Sequence, residues 1–270
     1  DVITINVDID ARPTVTLSPA SGDPTNASPF DVTVTFSESV TGFTGGDVVV
    51  GNGSVSGVTG SGANYQVSVA PSADGAVTVD IGEGAAQDVT GKDSKAATQL
   101  SVSYDSAAPV PTLTSSAAGD TINAPVDVTV DFGETVSNFV VGDLVVTNGT
   151  LSGFADLGGG AFELTLTPSG AGEVTLSAPA GVAEDEAGNT NEASNTLTYT
   201  YDGTAPILQS TTPADSATDV PLDTALSFVF DETMVAGTGQ ITVKDLTDND
   251  GHTTLSNTDG QVSINGGQVT

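Results

Sequence analysis

The sequence has no Cys, no Trp, one His, one Met and only four Lys or Arg in 270 residues. Each absence removes a class of function. Without Cys there can be no disulfide, no thiolate zinc site and no cysteine nucleophile. With His252 as the single imidazole, a Ser-His pair or a multi-histidine metal centre has almost no material. The 35 Asp and Glu set a net charge of -31, and a surface this acidic repels phosphate, which argues against nucleic-acid partners. Aromatic residues make up 5%, too few to furnish the platform that a sugar-cleaving carboxylate pair favours, so no enzyme activity is expected. There is no run of ~18 apolar residues to span a bilayer, and DVITINVDID at 1–10 lacks the basic-then-apolar order of a signal peptide. No membrane insertion is expected in this segment.

What is present is repetition. The 37% hydrophobic content permits cores, and at roughly 100–200 residues per domain the length allows two or three of them. Residues 31–57, DVTVTFSESVTGFTGGDVVVGNGSVSG, align without a gap to residues 127–153, DVTVDFGETVSNFVVGDLVVTNGTLSG. QLSVSYD at 99–105 likewise matches TLTYTYD at 196–202, so two full copies of about 100 residues are present, the size of one immunoglobulin-like sandwich. A third, divergent unit starts at 203, related through FVFDE, and reads as partial. ITINVDID at 3–10 alternates like the last strand of a copy. The expected organisation is therefore 1–10 as the last strand of a preceding unit or an exchanged strand, 11–105 and 106–202 as Ig-like domains, and 203–270 as a partial one.

Within the copies the apolar period is two: Val32, Val34 and Phe36 alternate with Thr33 and Thr35, and Val77, Val79 and Ile81 with Thr78 and Asp80. β-Branched residues dominate, with Gly, Pro and Asn as punctuation. In the first copy this predicts seven strands, near 14–17, 31–37, 47–50, 54–58, 64–70, 76–81 and 99–105, and no amphipathic helix. The fold class is all-β: tandem immunoglobulin-like β-sandwiches in an elongated array.

The stretch VTVTFSESVTGFTGGDVVVGNGSVSG, the later AAQDVTGKD and their second-copy equivalents resemble the bacterial Ig-like repeats of large surface adhesins and biofilm proteins. TTPADSATDV and FVFDETMVAGTGQITV in the third unit resemble a different bacterial Ig-like family, found in surface-layer and adhesin proteins. The resemblance implies an extracellular or cell-surface location and a spacer or stalk role, with neighbouring repeats as partners.

In a seven-strand antiparallel sandwich the chain entry and the second–third, fourth–fifth and sixth–seventh connections share one pole. That parity gathers Asp105, Glu134 and Asp185 at the entry of the second copy. The equivalent sets are Asp10, Glu38 and Asp88 for the first copy, and Asp202 with Glu232 for the third unit. Three carboxylates together repel one another unless a cation neutralises them, and calcium, which takes six to eight oxygen ligands, is the expected cofactor. Zinc prefers His or Cys, and magnesium a small hydrated octahedron. The competing reading is that these acids are turn residues on a solvated surface. GKD in the first copy departs from GNT in the second, which makes Asp88 the least secure ligand. His252, in DNDGHTT, reads as a turn residue, and GGG at 158–160 as a flexible turn. Two further readings stay open: a self-assembling filament or surface-layer subunit that contacts other copies of itself, and an accessory region of a secreted hydrolase.

Overall fold

The computed structural model describes residues 11–221, 223–234, 240–244, 252–256 and 263–270. The chain divides into two compact units, Asp1–Asp202 and Gly203–Thr270. The first unit holds both sequence copies.

Copy one contains β1 (Val15–Pro19), β2 (Phe30–Val40), β3 (Val48–Gly51), β4 (Gly53–Pro71), β5 (Gly75–Ile81) and β6 (Leu100–Tyr104). One sheet has the order β1-β2-β4 and the other β3-β5-β6, with every strand pair antiparallel. Strict alternation sends one face of each strand inward, so Val32, Val34, Val67, Val69, Val77, Val79 and Val102 are fully buried between the sheets. Phe36, Phe43 and Tyr65 close one end of the core in edge-to-face contacts, with ring centres 5.0 to 5.9 Å apart.

Copy two contains β7 (Thr112–Ser115), β8 (Thr121–Ile122), β9 (Val126–Asp131), β10 (Val145–Thr147), β11 (Gly149–Gly158), β12 (Ala161–Pro168), β13 (Gly172–Ser177) and β14 (Leu197–Tyr201). Its sheets run β11-β12-β9-β7 and β10-β13-β14-β8. Val128, Val130, Leu164, Leu166, Val174 and Leu176 repeat the buried alternation, and Phe132 meets Phe139 at 4.9 Å where copy one has Phe36 against Phe43.

Two local features depart from the expected strands. The segments predicted at 54–58 and 64–70 are one continuous ribbon, β4, which doubles back at Gly60 and Gly62, with φ of 109° and 68°. The Ser56 hydroxyl donates to the Ser68 carbonyl across that fold at 3.0 Å. Secondly, β2 does not turn before Glu38 but runs on to Val40, with a register shift between Thr35 and Val40. Among the described residues the only helical elements are two 3-10 turns, Gly45–Asp47 and Val141–Asp143.

The second unit has β15 (Leu208–Thr212), β16 (Ser227–Phe230), β17 (Gln240–Lys244), β18 (His252–Ser256), β19 (Ile264–Asn265) and β20 (Gln268–Val269). They form a sheet of order β15-β16-β20-β19 and a hairpin β17-β18. His252, expected in a turn, instead opens β18 opposite Lys244. Its neighbours DLTDNDG at 245–251 lie outside the described residues.

Candidate functional site

Asp105, Glu134 and Asp185 come together as expected: each offers a carboxylate oxygen, and these oxygens lie within 4.8 Å of one another. Three separate pieces of chain deliver them. Asp105 directly follows β6, where its N–H donates to the Thr25 carbonyl at 3.1 Å. Glu134 sits in the turn after β9, where Phe132 N–H donates to the Gly160 carbonyl at 3.0 Å. Gly160 has φ of 87°, and a Cβ there would collide with the Glu134 carbonyl, so this part of the GGG sequence sets the turn that carries the acid.

Asp185 belongs to a loop that folds on its own carboxylate. Asn189 donates its N–H to Asp185 Oδ1 and its side-chain amide to Asp185 Oδ2, both at 2.8 Å. The same loop is tied to the Glu134 turn by paired bonds between Ser137 and Glu184, at 2.7 and 3.2 Å. It reaches the chain entry through Asn189 Nδ2, which donates to the Asp105 carbonyl at 3.0 Å. Asp185 is buried, whereas Asp105 and Glu134 are half-buried.

Burial and the crowding of like charges both act on Glu134. Burial pushes its carboxyl above the ordinary carboxylate range, and the neighbouring Asp185 and Asp105 push it further in the same direction. The donor set suits a hard cation. Ca²⁺ binds oxygens at 2.3–2.6 Å, so two ligands of one ion lie at most about 5 Å apart, and the observed spread falls inside that limit. Carboxylate oxygens and a nearby backbone carbonyl, that of Asp105, are the ligand types calcium takes.

The other expected ligands are placed differently. Asp10 lies outside the described residues, so the trio with Glu38 and Asp88 is not assembled here. Glu38 is an exposed residue of β2 rather than of a turn, because that strand continues past it. Asp88 is buried and accepts N–H bonds from Thr90 and Lys92 at 2.7 and 2.9 Å and the Thr90 hydroxyl at 2.8 Å. The Lys92 N–H bond in particular holds its carboxyl below the ordinary range, against the opposing effect of burial. Asp202 ends the first unit, with its N–H on the Ile122 carbonyl at 2.9 Å, and Glu232 follows β16 in the second. The residues that sequence reasoning missed are Asn26 and Asn189, which join copy one to copy two. Asn26 N–H donates to the Ala187 carbonyl at 3.2 Å, and its amide donates to Asn189 Oδ1 at 3.1 Å. The contrast of GKD with GNT was the one available signal.

A repeated sandwich with these loops has counterparts. The bacterial Ig-like domain family matches residues 10–104 and again 105–201, and a second family of the same description matches 202–270. The chain belongs to the bacterial Ig-like domain family. Among curated proteins there is no sequence match. Solved structures to which this Ig-like chain is similar include invasin, described as a bacterial integrin-binding protein. That similarity has 14% identity and a TM-score of 0.31, over 90% of this chain and 54% of that one. The chain thus spans about half the length of the invasin structure. Another is InvD of Yersinia pseudotuberculosis, at 13% identity and a TM-score of 0.34, covering 96% of this chain and 83% of that one. The N-terminal part of the bacterial S-layer protein SbsC follows at 18% identity and a TM-score of 0.28, over 71% of this chain and 44% of that one. Among the described residues no helix is long and apolar enough to cross a membrane.

Proposed function

We propose that this chain is a run of non-catalytic spacer repeats from a secreted or cell-surface bacterial protein of the adhesin or biofilm-matrix kind, stiffened by calcium between its repeats. The observation that carries the reading is the meeting of Asp105, from the connection between the copies, with Glu134 and Asp185 of copy two. An ion held there ties the connecting segment to two loops of the following sandwich, and so turns a potential hinge into a stiff joint. Membership of a bacterial Ig-like family supports the spacer role by analogy of fold. The acidic, cysteine-free composition fits an exported protein that does without disulfides.

The test is thermal unfolding paired with small-angle scattering, in excess calcium and in excess chelator at one ionic strength. Calcium at ~100 times its Kd adds ~2.7 kcal/mol if it binds only the folded state, so the melting temperature should rise and the spread of shapes should narrow. Glu134→Gln should remove most of that response while both sandwiches stay folded. No calcium effect on the unchanged protein would mean that the acids are a solvated surface, and the calcium reading would be abandoned.

A further inference from the structure

We infer that Asn26 and Asn189 form a metal-independent latch between the two copies, and that this pair selects which repeat fits behind which. Asn189 is the centre of it. Its Nδ2 donates to Asp185 Oδ2 within its own loop and to the Asp105 carbonyl in the connection, while its Oδ1 accepts the Asn26 amide of copy one. The Asn26 N–H adds a backbone bond to the Ala187 carbonyl. Gly188, which precedes Asn189, has φ of 91°, a conformation that residues with a Cβ rarely adopt. One side chain thereby uses donor and acceptor together, which a bare charge cannot imitate.

The sequence copies show what kind of partner the latch accepts. Asn26 follows Thr25, which bridges in parallel to Tyr104; Asn123 follows Ile122, which pairs in parallel with Tyr201. Both copies therefore carry an exposed Asn at the same place on the exit pole. The entry loops differ. Where copy two has Asn189, copy one has Lys92, placed by the same backbone bond to its Asp88 carboxylate. An ammonium has three donors and no acceptor, so it cannot receive an exit-pole amide. The fitting partner for an exit Asn is an Ig-like repeat whose loop reads Gly-Asn, as copy two does with Gly188 and Asn189, and not one that reads Gly-Lys, as copy one does with Gly91 and Lys92. This deepens the spacer reading, yet it is independent of calcium.

The experiment places spin labels at Ser101→Cys in copy one and Thr150→Cys in copy two of the full chain, which has no other Cys, and reads the distance distribution in excess chelator. Asn26→Ala, which leaves all three carboxylates in place, and Asn189→Lys should each lose the narrow peak of the parent. Their melting profiles should show both sandwiches folded. Equal widths for parent and variants in chelator would overturn the latch. If the parent is narrow and the variants broad in chelator, but calcium changes nothing, the latch stands and the calcium reading fails. If all are broad in chelator and only calcium narrows them, the reverse holds.

Discussion

The entry poles of the two copies are built on one backbone plan and hold their charge differently. In copy two the pole carries Glu134, Glu184, Asp185, Glu186 and Glu192 with no basic residue. Copy one has Lys95 where copy two has Glu192, Lys92 where it has Asn189 and Arg12 where it has Ala108. Three of the four basic residues in the chain therefore lie on this one pole. Arg12 binds the Glu83 carboxylate at 2.6 Å and donates to the Asp93 and Ser94 carbonyls at 2.8 and 2.9 Å, stapling the loop to the chain entry. Copy two secures its loop from within instead. Asn191 accepts the Val182 and Ala183 N–H groups, both at 2.8 Å, and donates to the Pro179 and Glu192 carbonyls at 2.9 and 2.6 Å. The same loop geometry is thus reached once with basic side chains at the rim and once with a buried amide.

If the plan is shared, its cores should be equally costly to disturb. Phe36→Ala and Phe132→Ala should each destabilise their own copy by ~3–5 kcal/mol, read as separate transitions in urea, with little dependence on calcium. A large inequality would show that the two cores are not equivalent. The loops should separate the copies. Asn191→Ala takes a hydrogen-bond partner from four backbone groups, of which the Ala183 N–H is buried, and should cost copy two about 1–3 kcal/mol. Ser94→Ala, at the matching position, removes one 3.2 Å bond from Ala86 N–H and should cost less. Equal losses in urea unfolding would contradict the division between stapled and internally bonded loops.

The smallest effect has opposite signs in the two copies. The folded-state pKa of Glu134 is raised, so its contribution is most favourable below its unfolded value and is lost as pH rises through the folded one. That of Asp88 is lowered, so its contribution is present above its unfolded value and is lost as pH falls through the folded one. In chelator, acidification from neutral toward the carboxylate range should make the Glu134 contribution more favourable, and Glu134→Gln should remove that gain. Asp88→Asn should remove an acid-sensitive stabilisation from copy one. Melting curves across that pH range check both signs, and a common sign would dissolve the contrast.

Much of this was legible in order of residues because a sandwich strand writes its burial as alternation. Val32, Val34 and Phe36 announced an inward face that tertiary contact only filled. The trio Asp105, Glu134 and Asp185 was legible for a related reason: antiparallel strands reverse at each turn, so counting strands tells which turns share a pole. Turn geometry was less so. Glu38 and Glu134 occupy matching sequence positions, yet one continues a strand and the other leaves it, because a register shift between neighbouring strands depends on pairing with β4 or β12 and not on local preference. His252 looked like a turn residue for the same reason, since its place in a hairpin is fixed by Lys244 across from it.

The sequence by itself determined the all-β class, the repetition and the pole at which the acids gather, since all three follow from periodicity along the chain. Only the tertiary structure decided that Asn189 bridges Asp185, Asp105 and Asn26, because hydrogen-bond partners 84 and 163 residues away are chosen by distance and angle in space.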